Sequence, residues 1–358
     1  MMELLTAITL FLNYVLFYRI PHFDHSVPDE AKTLKELSVI IPARNEEKNI
    51  FRLLDSLQPY LNKVKDIIVV DDHSTDSTAQ IAKSYGVTVL SLNELPKGWF
   101  GKSFGCWNGA TSASGKFLLF MDADTTVEAN GLERLVSEIK AEEDMVSIQP
   151  FHKMKRPYES LSSFFHLVIM GSLGAFLPFK KNLATNGAFG QCMLIGRKDY
   201  FRYGGHQAIQ GELMDNMALG ALIANQGGTV RAYSGKGAIS MRMYPDGLSS
   251  LIQGWSKSFA TGASRTDFLY LLLVSLWLGG LVTFLLKVQD FPLTWFIVIY
   301  GILCWQFWRV LKNIGNFKWY TVVAFPVWLA FFIIVFGYSC FRTFFSKNIM
   351  WKDRRMDL

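Results

Sequence analysis

The sequence predicts an α/β fold, a doubly wound parallel sheet, with transmembrane α-helices at both ends of the chain. Three observations predict it. Between residues 37 and 149 short apolar runs alternate with polar turns and helix-compatible segments, the pattern of a parallel sheet wrapped by helices. Carboxylates gather where those runs end, at the edge where open α/β sheets bind ligands. Hydrophobic residues make up 50% of the 358, with 29 Phe, and the excess lies toward the two ends, outside the habit of soluble chains.

Taken in order, residues 4–18 form an apolar run between Glu3 and Arg19, a little short of the roughly 20 residues that a span needs. It has neither a basic n-region nor a small-residue cleavage site, so an uncleaved anchor over 1–20 is expected rather than a signal peptide. LSVIIPARNEE (37–47) and DIIVVDDHSTDSTAQIA (66–82) each read as strand, polar turn and helix, with Ser74 or Thr75 as N-cap candidates. VTVLSL (87–92), a helix after Lys102, FLLFM (117–121), a helix near 128–141 and MVSIQ (145–149) continue the alternation. A cytoplasmic catalytic domain over 21–266 follows.

Residues 160–179 carry no Asp, Glu, Lys or Arg and would pass a hydropathy filter. They cannot cross a bilayer, because Asp122 and Asp124 before them and Asp215 after them must share one compartment. An interfacial helix or a wall for a lipid acceptor is expected, beside the plainer reading of a buried helix. After Asp267 come segments 268–286, 291–308 and 319–341, each long enough for a core of roughly 30 Å. Arg309, Lys312 and Lys318 place the loop 309–318 in the cytoplasm, with Val288–Asp290 outside. The basic tail (346–358), with Lys347, Lys352, Arg354 and Arg355, then conflicts with a third full crossing, so either the last segment, broken by Pro326 and Gly337, is re-entrant, the preferred reading, or the tail violates the rule. A net charge of +6 is explained by basic residues near these segments and requires no nucleic-acid partner. Cys106, Cys192, Cys304 and Cys340 show no metal spacing and read as reduced, buried and inert.

The chemistry concentrates in FLLFMDAD (117–124). A strand ending in Asp122-Ala123-Asp124 delivers two oxygen ligands to one spot, as a hard cation on a diphosphate requires. Glu46, Asp71 and Asp72 sit at neighbouring strand ends, while the Gly-rich dinucleotide fingerprint and the P-loop are both absent. NAD and P-loop ATP chemistry are thereby disfavoured.

VIIPARNEE, VVDDHSTD, the DAD triplet and GELMDNMALG (211–220) together resemble the inverting family 2 glycosyltransferases, whose GT-A fold takes a nucleotide-sugar donor. KGWFGKS (97–103), SIQPFHKMKRPYESLSSFF (147–165), AFGQCMLIGRKDYFRYGGH (188–206), RMYPDG (242–247) and IQGWSKSFATGA (252–263) are similar to the bacterial membrane members that glycosylate polyisoprenoid lipids, those of carotenoid-acid synthesis in particular. The resemblance implies a UDP-sugar donor, with glucose the expected hexose, a membrane lipid acceptor, and Mn²⁺ or Mg²⁺. Other carotenoid-pathway enzymes are possible partners on the same ground. Asp124 is expected to ligate the metal and Asp122 to ligate it or reach the sugar or ribose. Asp72 would read the uracil, Pro42 and Ala43 would border the base, and Glu46 would lie near the nucleoside. Lys102 is either a diphosphate contact or a surface lysine.

An inverting transfer needs a carboxylate to hold the acceptor's proton. Many family members place Glu-Asp here with the Asp as base, whereas this chain reads Asp215-Asn216. Asp215 is therefore the expected base and Glu212 the reserve; an acceptor that is already a carboxylate would ease the demand. The Gln-x-x-Arg-Trp motif of processive members is reduced to Trp255, with Leu251 and Gly254 at the other positions, so processive synthesis is disfavoured. Trp255, Lys257 and Arg242 remain as acceptor or diphosphate contacts, Trp255 equally as an interfacial anchor. Hopanoid, ceramide, sterol and polyprenyl-phosphate acceptors fit the same pattern. A nucleotidyltransferase is disfavoured by the acidic PARNEE loop, and a transporter by segments 268–286 and 291–308, which hold no ionisable residue in mid-membrane.

Overall fold

Strands form where the apolar runs predict them: β1 (Leu37–Ala43), β2 (Asp66–Asp71), β3 (Thr88–Ser91), β4 (Phe117–Met121) and, past the short β5 (Thr125–Val127), β6 (Asp144–Gln149). The computed structural model describes all residues except 1, 24–30, 93, 140–143, 179–184, 186, 344–347, 352–353 and 358. Four further strands follow: β7 (Phe151–His152), β8 (Cys192–Gly196), β9 (Thr229–Ser234) and β10 (Ile239–Met241).

The main sheet runs β3-β2-β1-β4-β8-β6-β9. β1 to β4 are parallel, and so are β6 and β9, but β8 lies antiparallel to both β4 and β6. The expected all-parallel sheet is thus corrected to a mostly parallel one. CMLIG is an apolar run like the others, and apolar pattern carries no information on strand direction. A small second sheet, β5-β10-β7, forms beside it.

β1 and β4 are buried on both faces, as the near-continuous apolar run of a helix-covered strand requires. Gly101–Ser112 lies against β1 and β2. The approach is close enough that a Cβ on Gly109 would stand 2.4 Å from Ile40 Cγ2. Glu47–Leu57 buries Ile50, Leu53, Leu54 and Leu57, four positions at helical spacing. The helix expected near 128–141 is shorter, Gly131–Val136.

Two units divide the chain: Pro21–His152 with Ala184–Arg242, which holds both sheets above, and Met1–Ile20 with Lys153–Leu183 and Met243–Leu358. The second unit is helical apart from a strand pair in the tail. Ser163–Leu173, within the uncharged 160–179 stretch, is buried there, with Phe165 stacked on Trp255 (centroids 4.6 Å apart) and edge-on to Phe332. The expected interfacial surface is therefore a buried helix packed among apolar ones, and residue 179 falls outside the described residues. Residues 243–266, expected in the catalytic domain, likewise belong to this unit.

Met2–Leu16 is helical, and Arg309 closes its end by donating to the Phe17 and Tyr18 carbonyls, each at 2.8 Å, a cation on a helix C-terminus. Phe268–Leu286 and Leu293–Ile314 have the length and hydropathy of membrane spans. The second runs six residues beyond the expected 308, so Arg309 and Lys312 are helical rather than in a loop. The segment 319–341 breaks at Ala324 into Trp319–Val323 and Phe325–Phe341, with Pro326 in the first turn of the latter. Its 17 residues rise only about 26 Å, short of a full crossing. In the tail, Lys347 and Lys352 lie outside the described residues, while Arg354 and Arg355 lie in a strand paired with Asn348–Trp351. Cys304 and Cys340 are partly exposed rather than buried.

Candidate active site

β1 and β2 end side by side, with Ala43 opposite Asp71, and the loops leaving them brace each other. Asp72 N–H donates to Ala43 O at 2.9 Å, and Arg44 donates to Asp72 O at 2.7 Å. Asn45, at φ 51°, gives its N–H to Ser74 Oγ and accepts the Thr75 N–H on Oδ1. Ser74 and Thr75 therefore hold the β1 loop rather than cap the next helix, which begins at Thr78. Glu46 and Glu47 donate their N–H groups to Thr78 Oγ1 and Asp76 Oδ2. Burial works against the Asp76 charge, yet donors from Thr78 and Glu47 hold this carboxyl below the usual range. Arg44, Asn45 and Asp76 were not among the residues expected here; their signal in the sequence was the density of Asn, Asp, Ser and Thr in two facing turns. The result fixes Pro42, Ala43, Glu46 and the buried Asp72 along one strand edge, with His73 Nδ1 2.9 Å from Asp72 Oδ1.

β4 ends one residue before Asp122. Asp122 N–H donates to Gln191 O at 2.9 Å, and the Thr125 N–H and hydroxyl both donate back to Asp122 O, which folds the DAD turn into β5. The first turn of Gly101–Ser112 brings Lys102 Nζ to 2.6 Å from Asp122 Oδ1 and 3.1 Å from Gly190 O. Both side chains remain about a quarter exposed, at 28% and 27%.

Asp215 opens the helix Asp215–Asn225. Its Oδ1 accepts the Asn216 N–H at 2.8 Å, while Oδ2 is buried with no hydrogen-bond partner among the described residues. Asn216, the amide at the position expected for a base, donates to Ala188 O and packs where a Cβ on Gly190 would meet its own Cβ at 2.9 Å. It secures the loop that carries the Lys102 acceptor. Glu212 lies in the turn ahead, its N–H donating to Ile209 O. Arg242 directly follows β10, where Met241 pairs with Thr125, so the register sets Arg242 across from Asp124. Trp255 is 7% exposed and belongs with Lys257 to the helical unit; its indole N–H donates to Ser162 Oγ at 3.0 Å and one face is covered by Phe165.

Charge unites Glu46, Lys102, Asp122 and Asp215. Burial disfavours the Lys102 charge, but Asp122 and Asp215 push its ammonium above the lysine range. Burial raises the Asp122 carboxyl, Lys102 opposes, and Asp215 and Glu46 add to the rise. Attraction wins at the lysine and burial wins at the aspartate, in a cluster where three acids share one base. Such an excess of negative charge suits an added cation. Among the described residues no group of three His, Cys, Asp or Glu side chains is arranged to hold a metal. Beneath the cluster, burial pushes the Cys106 and Cys192 thiols up, which keeps them protonated and unreactive.

Residues 38–204 match the sequence family described as glycosyl transferase family 2. The chain is 33% identical over 343 residues to 4,4'-diaponeurosporenoate glycosyltransferase of Staphylococcus aureus (strain USA300), covering 92% of this chain and 91% of that one. It also resembles in fold the mannosyltransferase PcManGT from Pyrobaculum calidifontis, solved in complex with GDP-Man and Mn²⁺, at a TM-score of 0.53 and 16% identity, with 96% of this chain and 99% of that one covered.

Proposed function

Since the chain belongs to glycosyl transferase family 2 and is a glycosyltransferase, we propose that it transfers glucose from UDP-glucose, with inversion, to the carboxylate of a membrane-resident carotenoid acid. The observation that carries the donor half is the Lys102–Asp122 pair at 2.6 Å within a crowd of carboxylates at the carboxyl edge of the sheet. The acceptor half rests on the relative named for a carotenoid acid.

In this reading Asp72 takes the uracil, Pro42 and Ala43 border it, and Glu46 lies beside the nucleoside. Asp124, with Asp122, offers oxygen ligands to Mn²⁺ or Mg²⁺, and the surplus negative charge around them fits such an ion. When bound, the cation supplies charge neutralisation for the departing diphosphate. Lys102 releases Asp122 and turns to the phosphates as a point charge. Arg242, across from Asp124, adds a second cation on that side. For a hydroxyl acceptor, Asp215 accepts the proton released as the new glycosidic bond forms. A carboxylate acceptor ionises without help at neutral pH, so Asp215 there chiefly orients the nucleophile. The helical unit, which holds Trp255 and Lys257, anchors the enzyme to the cell membrane, and the catalytic unit lies in the cytoplasm.

The test is purified enzyme in nanodiscs with UDP-[¹⁴C]glucose and a carotenoid acid, a hopanoid, a ceramide, a sterol or a polyprenyl phosphate. An ester product loses its label in mild alkali. Base-stable label on a hydroxyl lipid overturns the ester and retains the glycosyltransferase.

A further inference from the structure

Behind Asp215 lies a buried imidazole that the reaction above does not use. His206 is fully buried in the Gly205–Gln207 turn, which packs on both Gly101–Ser112 and Asp215–Asn225. Its tautomer follows from its neighbours. The Tyr200 hydroxyl accepts the His206 backbone N–H at 3.1 Å and lies 2.8 Å from Nδ1, so its own proton is directed at Nδ1. Nδ1 is then an acceptor. Burial pushes the imidazole down to about 4, with Lys102 adding and Asp215 opposing, so the ring is neutral and must carry its proton on Nε2. Among the described residues that Nε2–H has no hydrogen-bond partner, and neither does Asp215 Oδ2; both atoms are buried. One is a donor and the other an acceptor, on elements packed together, and leaving both unmet would incur the desolvation penalty of each.

We propose that His206 is a positioning residue for Asp215, its Nε2–H donating through one buried water to Oδ2 while the Asn216 N–H holds Oδ1. The carboxylate is then gripped at both oxygens. Gly205 keeps the turn close: at φ 51°, a Cβ there would stand 2.5 Å from Tyr200 Cζ. The inference deepens the reading of Asp215 as the residue facing the acceptor, and part of its test needs no substrate.

The first arm is ¹⁵N-histidine spectroscopy of the detergent-solubilised full chain, which has six histidines, with His206→Gln assigning the signal. A neutral Nε2–H ring is expected in the wild type. Asp215→Asn should move its Nε2–H resonance and speed its exchange, and Tyr200→Phe should change the tautomer ratio. An Nε2–H signal identical in wild type and Asp215→Asn overturns the proposal whatever the substrate proves to be. The second arm is kinetic: His206→Phe should lower kcat about ten- to a hundredfold with KM for the donor unchanged, and His206→Gln, which keeps an N–H donor, should recover most of it. Equal loss in both variants, or a fall only in thermal midpoint, assigns His206 to the core and refutes the positioning role. Intact coupling in the spectra with an active Asp215→Asn would instead fault the reading of Asp215.

Discussion

Asp124 and Asp215 should fail differently when neutralised. If Asp124 ligates the metal, Asp124→Asn removes a ligand oxygen from a turn already fixed by the bonds to Asp122, so transfer should vanish while the thermal midpoint in detergent holds. Removing divalent cations with EDTA should do the same to the wild type, and undiminished turnover in EDTA would refute the metal. Asp215→Asn should lower turnover on the order of 10²–10⁴ if the residue is a general base, with donor binding by calorimetry little changed; a greater loss in Glu212→Gln would move the role there. His152 makes a different prediction. Burial pushes its pKa from 6.5 down to about 3, so the unfolded chain binds a proton that the folded chain refuses. Its contribution to stability is therefore complete above about pH 6.5 and is lost as the pH falls toward 3. The thermal midpoint should drop through this window, less steeply in His152→Gln; equal slopes would show that another group governs it.

Helix Gly101–Ser112 is held to the sheet by the absence of side chains at its contact. A Cβ on Gly109 would stand 2.4 Å from Ile40 Cγ2 and 3.0 Å from Val70 Cγ2, and Ile40 is fully buried. Gly109→Ala should destabilise by about 1–3 kcal/mol through overpacking and displace Lys102 one helix end away. Gly301, with nothing within 4 Å of its would-be Cβ, is the control, and Gly301→Ala should be neutral or stabilising. Denaturant midpoints of the two variants decide it, and equal values would contradict the packing. The same scale shows what the sequence made legible. β1, β2, β4 and β6 were readable because each is an apolar run stopped by polar residues. β8 was not, since it is set by tertiary pairing with β4 and β6. Asp72 and Asp122 were legible because they directly follow strand runs, Asp215 only through the family's motif, and Arg44, Asn45 and Asp76 were not, because loop-to-loop bracing leaves only a polar composition. Trp255 stood out by its motif, yet its burial against Phe165 depends on a helix distant in sequence.

At the scale of the whole molecule, the helical unit exposes large apolar side chains such as Leu286 (71%), Trp295 (62%) and Ile334 (70%), on helices that include two of spanning length and hydropathy. The protein should stay with the membrane pellet through alkaline carbonate and high salt and be released only by detergent. Recovery in the carbonate supernatant would refute integral insertion. The reversed strand β8 has a consequence in time. It lies between β4 and β6 but follows both in the chain. A ribosome that has made Asp122 must still deliver more than seventy residues before the strand that closes the sheet is available. Until then β4 and β6 each show a bare edge, the kind that pairs with the wrong neighbour. The loop leading into β8 supplies Gly190 O to Lys102 and Gln191 O to Asp122, so the reactive edge cannot form before β8 has been made. A nascent chain folded through residue 150 has Asp72, Asp122 and Asp124, but it lacks Asp215 and the two carbonyls that hold Lys102 and Asp122 in place.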